Sequence, residues 1–491
     1  MTDQKRSHDS TIFRLSRSVF GLFILLTFQT QSQSVFQTDF PPEEFKARWE
    51  KLFDKIGSEA IAVVQGGPSV AGADVYRQSN EFYYLCGIET PRAHLVLDGR
   101  SRKVTLYLPH RDEGREKGEG PMLTAEDAEL TKKLTGVDRV AGVEFLARDW
   151  QWTLYWTAKA PTLFTPFYPA EGMASTRDMM QGFKADIAAD PWDGRASREG
   201  QFIQLLRTRF PEFEIRNLSP FIDTLRNIKS KREISLLRAS AKLASLGLMA
   251  AMRSTKPDVF EYQLGAAAQY VFQIHGAQGD AYHSIVAGGK NSMMGHYFLN
   301  NSRLKEGDLL LMDYAPDYRY YASDVTRMWP VNGTFSAQQK QLWSFIVAVH
   351  DAILKRVRPG VTPDQILIEA ADEFRTLVDK TPWIKPEYKT AAEKTIKQKN
   401  SFSHPVGMAV HDIGNYRPRP LEPGVVFSLD PGIVIESERL VVRIENVILV
   451  TSNGAENLSA SAATDADAIE RVMRERGILQ TFPATTNLEK E

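Results

Sequence analysis

The chain has 491 residues, 43% of them hydrophobic and 25% charged, with a formal net charge of −1. That is the profile of a soluble globular protein of about two to three domains, and a charge this near zero gives no electrostatic basis for nucleic acid or an anionic membrane as partner. Cys86 is the only cysteine, so no intrachain disulfide can form and stability has to come from the core.

At the start, Lys5, Arg6, Arg14 and Arg17 precede the apolar run VFGLFILLTF, and the polar QTQSQS follows with small residues at Ser32 and Ser34. This layout predicts a secretory signal peptide over residues 1–34, with cleavage after Ser34 and export to the periplasm or the extracellular space. Val19 to Phe28 is ten residues long, short of the roughly 20 that a spanning helix needs. The alternative is an uncleaved N-terminal membrane anchor or an amphipathic tail. Loss of these residues, which carry four basic and two acidic groups, takes the net charge from −1 to −3. The absence of a cysteine near the end of the run argues against a lipoprotein, and nothing later reads as transmembrane.

Residues 35–227 alternate a helical stretch, PEEFKARWEKLFDKI, with apolar strands, AIAVVQ, HLVLD and KVTLYL. This is the signature of an α/β domain. The charged, glycine-containing stretch from Arg111 to Gly120 reads as an exposed loop. Tyr76, Phe82, Tyr83 and Tyr84 read chiefly as core, since large aromatics supply buried area; the functional alternative is a domain that borders the site and limits substrate length.

A strongly periodic helix begins in IKSKREISLLRASAKLASLGLMAAM, with Ile234, Leu237, Ala241 and Leu243 near one face, and opens a second domain over residues 228–478. Further helices are predicted in QQKQLWSFIVAVHDAILKRV and PDQILIEAADEFRTLV, backing a curved antiparallel sheet. TDADAIERVMRER reads as a closing helix capped by Thr464 or Asp465, and residues 479–491 as a tail.

The second domain repeats a plan. Leu304, Gly307 and Asp313 in LKEGDLLLMD recur at the same offsets as Leu421, Gly424 and Asp430 in LEPGVVFSLD. Each copy reads as a turn feeding an apolar strand that ends in aspartate, followed by a second strand with another acid, Asp324 in YYASDVTRMW and Glu445 in RLVVRIENVILV. Two such half-sites facing one another gather four carboxylates. The period of two along a strand also puts Val441, Arg443, Glu445 and Val447 on one face.

Buried charges are normally paired or bound to a metal. Four carboxylates with an imidazole and no thiolate suit a hard or borderline divalent ion, manganese first, with zinc, cobalt or iron compatible. They are too many for one catalytic zinc but suit a two-metal site. Taken singly, Asp313 or Asp430 reads as an ordinary strand-end or turn aspartate; the repeated spacing and the apolar flanks of Glu445 favour the metal.

The stretches MDYAPDYRYYASDVTRMWPVNG, SHPVGMAVHD and RIENVILVT resemble the metal-binding motifs of the pita-bread metallopeptidases, especially aminopeptidase P and prolidase. Asp313 and Asp324 are eleven residues apart, and His404 precedes His411 by seven, as in that family. GHYFLNN resembles the segment that carries a further active-site histidine, here His296, and YRQSNEFYYLCGIETPRAHLVLD resembles the N-terminal domain of aminopeptidase P. The resemblance runs from about Phe40 to Arg474, and several motifs in order are far more specific than one.

The resemblance implies an N-terminal creatinase-like α/β domain followed by a C-terminal pita-bread domain, an α+β architecture. It implies two divalent ions, with Asp313 on one, Asp324 and Glu445 bridging both, and His404 with Asp430 completing the other. A water or hydroxide between the ions would be the nucleophile, His296 and His411 would position substrate and stabilise the oxyanion, and Arg443 would orient a ligand carboxylate. The reaction implied is hydrolysis of the bond between an N-terminal residue and a following proline. The rivals are a prolidase restricted to dipeptides and a catalytically impaired peptide-binding relative. Peptides with proline second are the implied partners, and the family's oligomers imply a homo-oligomer. Two positions depart from the family: Asp430 stands where glutamate, also the presumed proton acceptor, is usual, and Asn400 stands where typical aminopeptidase P enzymes have histidine.

Overall fold

The computed structural model describes residues 36–70, 74–155 and 161–483. The predicted signal segment and most of the predicted tail lie outside them.

PEEFKARWEKLFDKI forms a helix over Pro42–Ile56, with Phe45, Trp49, Leu52, Phe53 and Ile56 on its buried face. This is the spacing of an apolar stripe on a helix of 3.6 residues per turn. It packs beside a mixed six-stranded sheet ordered Arg139–Gly142, Lys103–Leu108, His94–Asp98, Ala60–Gln65, Thr162–Thr165, Glu214–Asn217. The central Ala60–Gln65 strand pairs antiparallel with His94–Asp98 and parallel with Thr162–Thr165. Its near-unbroken apolar run fits a strand covered on both faces. Phe82, Tyr83 and Tyr84 are buried as the core reading required, and Tyr83 stacks on Tyr320 of the second domain with ring centroids 3.5 Å apart. The stretch around Arg111 to Gly120 departs from the loop expectation: Glu113–Glu119 is helical with no buried residue, its first turn capped by Asp112 accepting from the Arg115 N–H. The cap side chain replaces a missing intrahelical partner, which charge composition alone did not reveal.

The second domain opens on the Lys231–Ser254 helix, whose start is a capping box between Ser230 and Glu233. Leu237, Ala241 and Leu243 are buried on its inner face. By length and composition it could cross a membrane, but 61% of its apolar window is buried inside the protein, as in a core helix. The helices Glu261–Ile274, Ala337–Leu354 and Pro363–Lys380 join it in one continuous apolar core with the strands. The closing helix is Ala466–Met473, and Asp465 is its cap.

Against these helices lie two antiparallel sheets. One has the order Thr326–Pro330, Leu309–Asp313, Ile285–Gly288; the other Phe402–Pro405, Val426–Leu429, Asn446–Val450, Ala455–Asn457. The repeated plan is visible in the pairing: Leu309–Asp313 with Thr326–Pro330 in one sheet, Val426–Leu429 with Asn446–Val450 in the other. RLVVRIENVILV does not run as one strand. It divides at Ile444 and Glu445 into Leu440–Arg443, paired with Gly432–Ile435, and Asn446–Val450. At the division Glu445 bridges to Thr326, so the break in one strand joins the two sheets. Period-two reasoning assumed an uninterrupted strand, whereas Glu445 serves two partners.

Candidate metal centre

The acids sit at the strand ends nearest the junction. Asp313 closes its strand opposite Thr326, Asp324 lies two residues before the Thr326 strand, Asp430 follows Leu429, and Glu445 precedes Asn446. Strand pairing fixes Asp313, backbone bonds to the Ser401 and Thr326 carbonyls fix Asp430 and Glu445, and Asp324 lies two residues from its strand; the four carboxylates meet in one hollow. That cavity is about 180 Å3 and is lined by Asp313, Asp324, His404, Asp430, Arg443 and Glu445 together with His296 and His411. Every site residue proposed from the sequence is thus brought to one place.

Oxygen and nitrogen atoms of Asp324, His404 and Glu445 lie within 4.8 Å of one another, and His404 Nε2 is 3.2 Å from Asp324 Oδ2. Arg443 ties in the rest: its Nη2 is 2.5 Å from Asp313 Oδ2 and 3.7 Å from Glu445 Oε2, and its Nη1 is 3.5 Å from Asp430 Oδ2. Asp313, Asp324 and Glu445 are buried. Four carboxylates around one guanidinium leave uncompensated negative charge in a low-dielectric hollow, and Asp430 Oδ1 is buried without a hydrogen-bond partner among the described residues. A donor set of hard oxygens and one imidazole, with charge to spare and an oxygen unused, fits divalent cations.

The protonation behaviour agrees with crowding. Burial, then the Glu445 and Asp313 charges, push the Asp324 carboxyl well above the ordinary carboxylate range. Burial opposes ionisation of Asp313 too, but Arg443 and Tyr282 outweigh it and hold that carboxyl below its usual value. Burial and neighbouring His411 push His404 down to about 4, leaving the neutral imidazole that a metal requires.

Several supporting residues carry no sequence signal. The Tyr282 hydroxyl lies between Asp313 Oδ1 at 2.5 Å and Asp324 Oδ1 at 2.8 Å, its one hydrogen shared between them; burial and these charges keep its phenol protonated. Thr326 Oγ1 donates to Glu445 Oε2 at 2.8 Å and Ser428 Oγ donates to Oε1. Arg327, fully buried, donates to the Thr326 and Glu445 carbonyls at 2.9 Å each and locks the junction. Such contacts orient metal-binding carboxylates. Thr326 and Arg327 lie within a quoted motif, but no spacing rule gives their hydroxyl or guanidinium a target.

The three histidines stand in sequence along the cavity wall. The His404 and His411 rings are 4.0 Å apart, His411 and His296 6.3 Å apart, and His296 stacks on Phe298. The N-terminal domain contributes Met179 to the lining, and Asp178 Oδ2 lies 2.7 Å from His411 Nδ1. The first domain therefore does border the cavity, through a helix, Arg177–Ala189, rather than the aromatic cluster. Asn400 is exposed and does not line the hollow.

Comparison with known proteins agrees with this architecture. Residues 235–452 match metallopeptidase family M24, and residues 45–154 match the aminopeptidase P N-terminal domain. The chain is 30% identical to Xaa-Pro aminopeptidase 3 of Mus musculus over 85% of its own length and 81% of the relative's. It is 28% identical to an Xaa-Pro aminopeptidase of Escherichia coli strain K12, covering 88% and 97%. Among solved structures, proline aminopeptidase P II from Yersinia pestis superposes with a TM-score of 0.71 at 28% identity, over 89% of this chain and 100% of that one. With two domains of matching type in the matching order, this chain belongs to metallopeptidase family M24, in the aminopeptidase P group.

Proposed function

We propose that this enzyme is a two-metal Xaa-Pro aminopeptidase that releases an N-terminal residue preceding proline, with manganese as its ions. The observation that carries the reading is the gathering of Asp313, Asp324, His404, Asp430 and Glu445 with His296 and His411 around one cavity. The relatives named Xaa-Pro aminopeptidase support the substrate class, and export by the N-terminal segment remains part of the proposal.

Asp313 would hold one ion, His404 and Asp430 the other, and Asp324 and Glu445 both. Bound divalent ions supply a water of lowered pKa as nucleophile and a Lewis acid for the scissile carbonyl, so no serine or cysteine is needed. Asp430, with one oxygen unpaired, accepts the proton released in the attack. His296 and His411 both line the cavity; they position the peptide and stabilise the developing oxyanion. Arg443 holds Asp313 by a charge-assisted hydrogen bond and attracts Glu445 across 3.7 Å, which keeps both from turning away.

The test is metal stoichiometry measured alongside cleavage of a ladder of peptides with proline second. Two ions per chain and release of the first residue from dipeptide and longer peptides alike is the expected result. Cleavage of dipeptides alone would make it a prolidase. Fewer than one ion per chain after manganese loading, with no cleavage, would leave a peptide-binding relative.

A further inference from the structure

We infer that Asp178, from the N-terminal domain, is a positioning residue that sets the orientation of His411, so that the first domain completes the site built by the second. The inference rests on the proposed role of His411 toward substrate.

The bond itself is short, 2.7 Å from His411 Nδ1 to Asp178 Oδ2. An ionised carboxylate only accepts hydrogen bonds, so Nδ1 carries the hydrogen of this contact. With Nδ1 engaged, the ring plane is fixed and Nε2 is the nitrogen left for the cavity, where the His404 ring lies 4.0 Å away.

Both ends of the bond are held. Asp178 Oδ1 accepts from the hydroxyl of Thr176, which is wholly buried, and Asp178 sits in the first turn of the Arg177–Ala189 helix, where a carboxylate is favoured by the helix dipole. The next residue back, Arg177, is anchored to Glu81 at 2.8 Å, Glu171 at 3.2 Å and Asp223 at 2.7 Å. On the other side, Asn80 Nδ2 donates to the Met408 carbonyl at 3.2 Å, and Asp412 is gripped by Arg226 at 2.6 Å and Lys229 at 3.2 Å. The bland alternative is a surface ion pair, since the Asp178 side chain is 58% exposed. Such pairs contribute little to stability. Anchoring of both partners by buried groups is what orientation needs and stability does not.

The test combines turnover with a readout independent of activity. In manganese-loaded enzyme, Asp178→Ala should lower kcat on a proline-second peptide about 10- to 100-fold, the range for a lost orienting partner, with KM, bound manganese and unfolding midpoint near wild type. Asp178→Glu should recover part of the loss, and Asp178→Ala should cost nothing further in a His411→Ala background. In zinc-loaded protein with 15N-labelled histidine, the His411 Nδ1 resonance should change from a fixed N–H to a tautomer mixture in Asp178→Ala. Wild-type kcat in Asp178→Ala, an undiminished effect in the His411→Ala background, or an unchanged His411 spectrum would overturn the inference. A wild-type enzyme inactive on every proline-second peptide, with the spectral change still present, would sink the proposed function and leave the orienting bond standing.

Discussion

Thr326 and Glu445 meet twice at the junction of the two sheets: the Glu445 N–H donates to the Thr326 carbonyl at 3.3 Å, and the Thr326 hydroxyl donates to Glu445 Oε2 at 2.8 Å. The backbone contact joins the half-sites, and the hydroxyl aims the carboxylate proposed to serve both ions. Thr326→Val keeps the shape and the backbone bond but removes the hydroxyl. Metal affinity should fall about 10- to 100-fold, as for other lost carboxylate-orienting contacts, with the circular dichroism spectrum unchanged. Competition titration with a chelator measures it, and wild-type affinity would show that Glu445 is held by Ser428 and Arg443 alone.

How far the site was legible depended on whether a residue's signal lay in its own segment. Asp313 and Asp430 were readable because a turn, an apolar run and an acid recur at one spacing, and the helices at 231–254 and 337–354 because burial imposes a period on the sequence. Tyr282 and Asp178 were not, since Tyr282 enters the cavity from a bend and Asp178 reaches His411 from a helix of the other domain, neither with a local spacing that points there. The division of the RLVVRIENVILV run was hidden for a related reason: Glu445 leaves its strand's alternation to pair with Thr326, a tertiary demand that no local period encodes.

Asp430 has its N–H bonded to the Ser401 carbonyl at 2.7 Å, so its Cα is fixed while Oδ1 has no partner among the described residues. Asp430→Ala is expected to bind one ion fewer and lose activity. Asp430→Glu adds one methylene beside the cavity and should keep both ions while changing kcat, because general-base geometry tolerates little displacement. Elemental analysis with steady-state kinetics separates the two outcomes; full activity in the alanine variant would remove Asp430 from the ligand set.

Tyr282 stands between two acids that repel one another. Its hydroxyl bonds both Asp313 and Asp324, and the charge it relieves is the charge that cations would neutralise. Tyr282→Phe should therefore destabilise metal-free protein by about 1–3 kcal/mol, the usual cost of an unpaired buried polar group, and metal-loaded protein by less. Denaturant titrations with and without manganese report the difference. Equal losses in both states would mean that Tyr282 supports packing rather than the carboxylates.

Arg226 holds the domains together directly behind His411. Its Nη2 is 2.7 Å from Glu171 of the first domain and 2.6 Å from Asp412 of the second, and all three side chains are at most 1% exposed. Burial disfavours every charge in this group, yet Asp412 is held below the usual carboxylate range because Arg226 and Lys229 outweigh the burial. Arg226→Met leaves two buried carboxylates short of a partner, a loss of about 3–5 kcal/mol by comparison with other broken buried pairs. Because Asp412 adjoins His411, the folded fraction should also turn over more slowly while retaining its metal. Adding Asp412→Asn removes one of the stranded charges and should restore part of the stability without restoring turnover. If Arg226→Met unfolds at the wild-type denaturant concentration, the ion pairs behind His411 do not carry the domain interface.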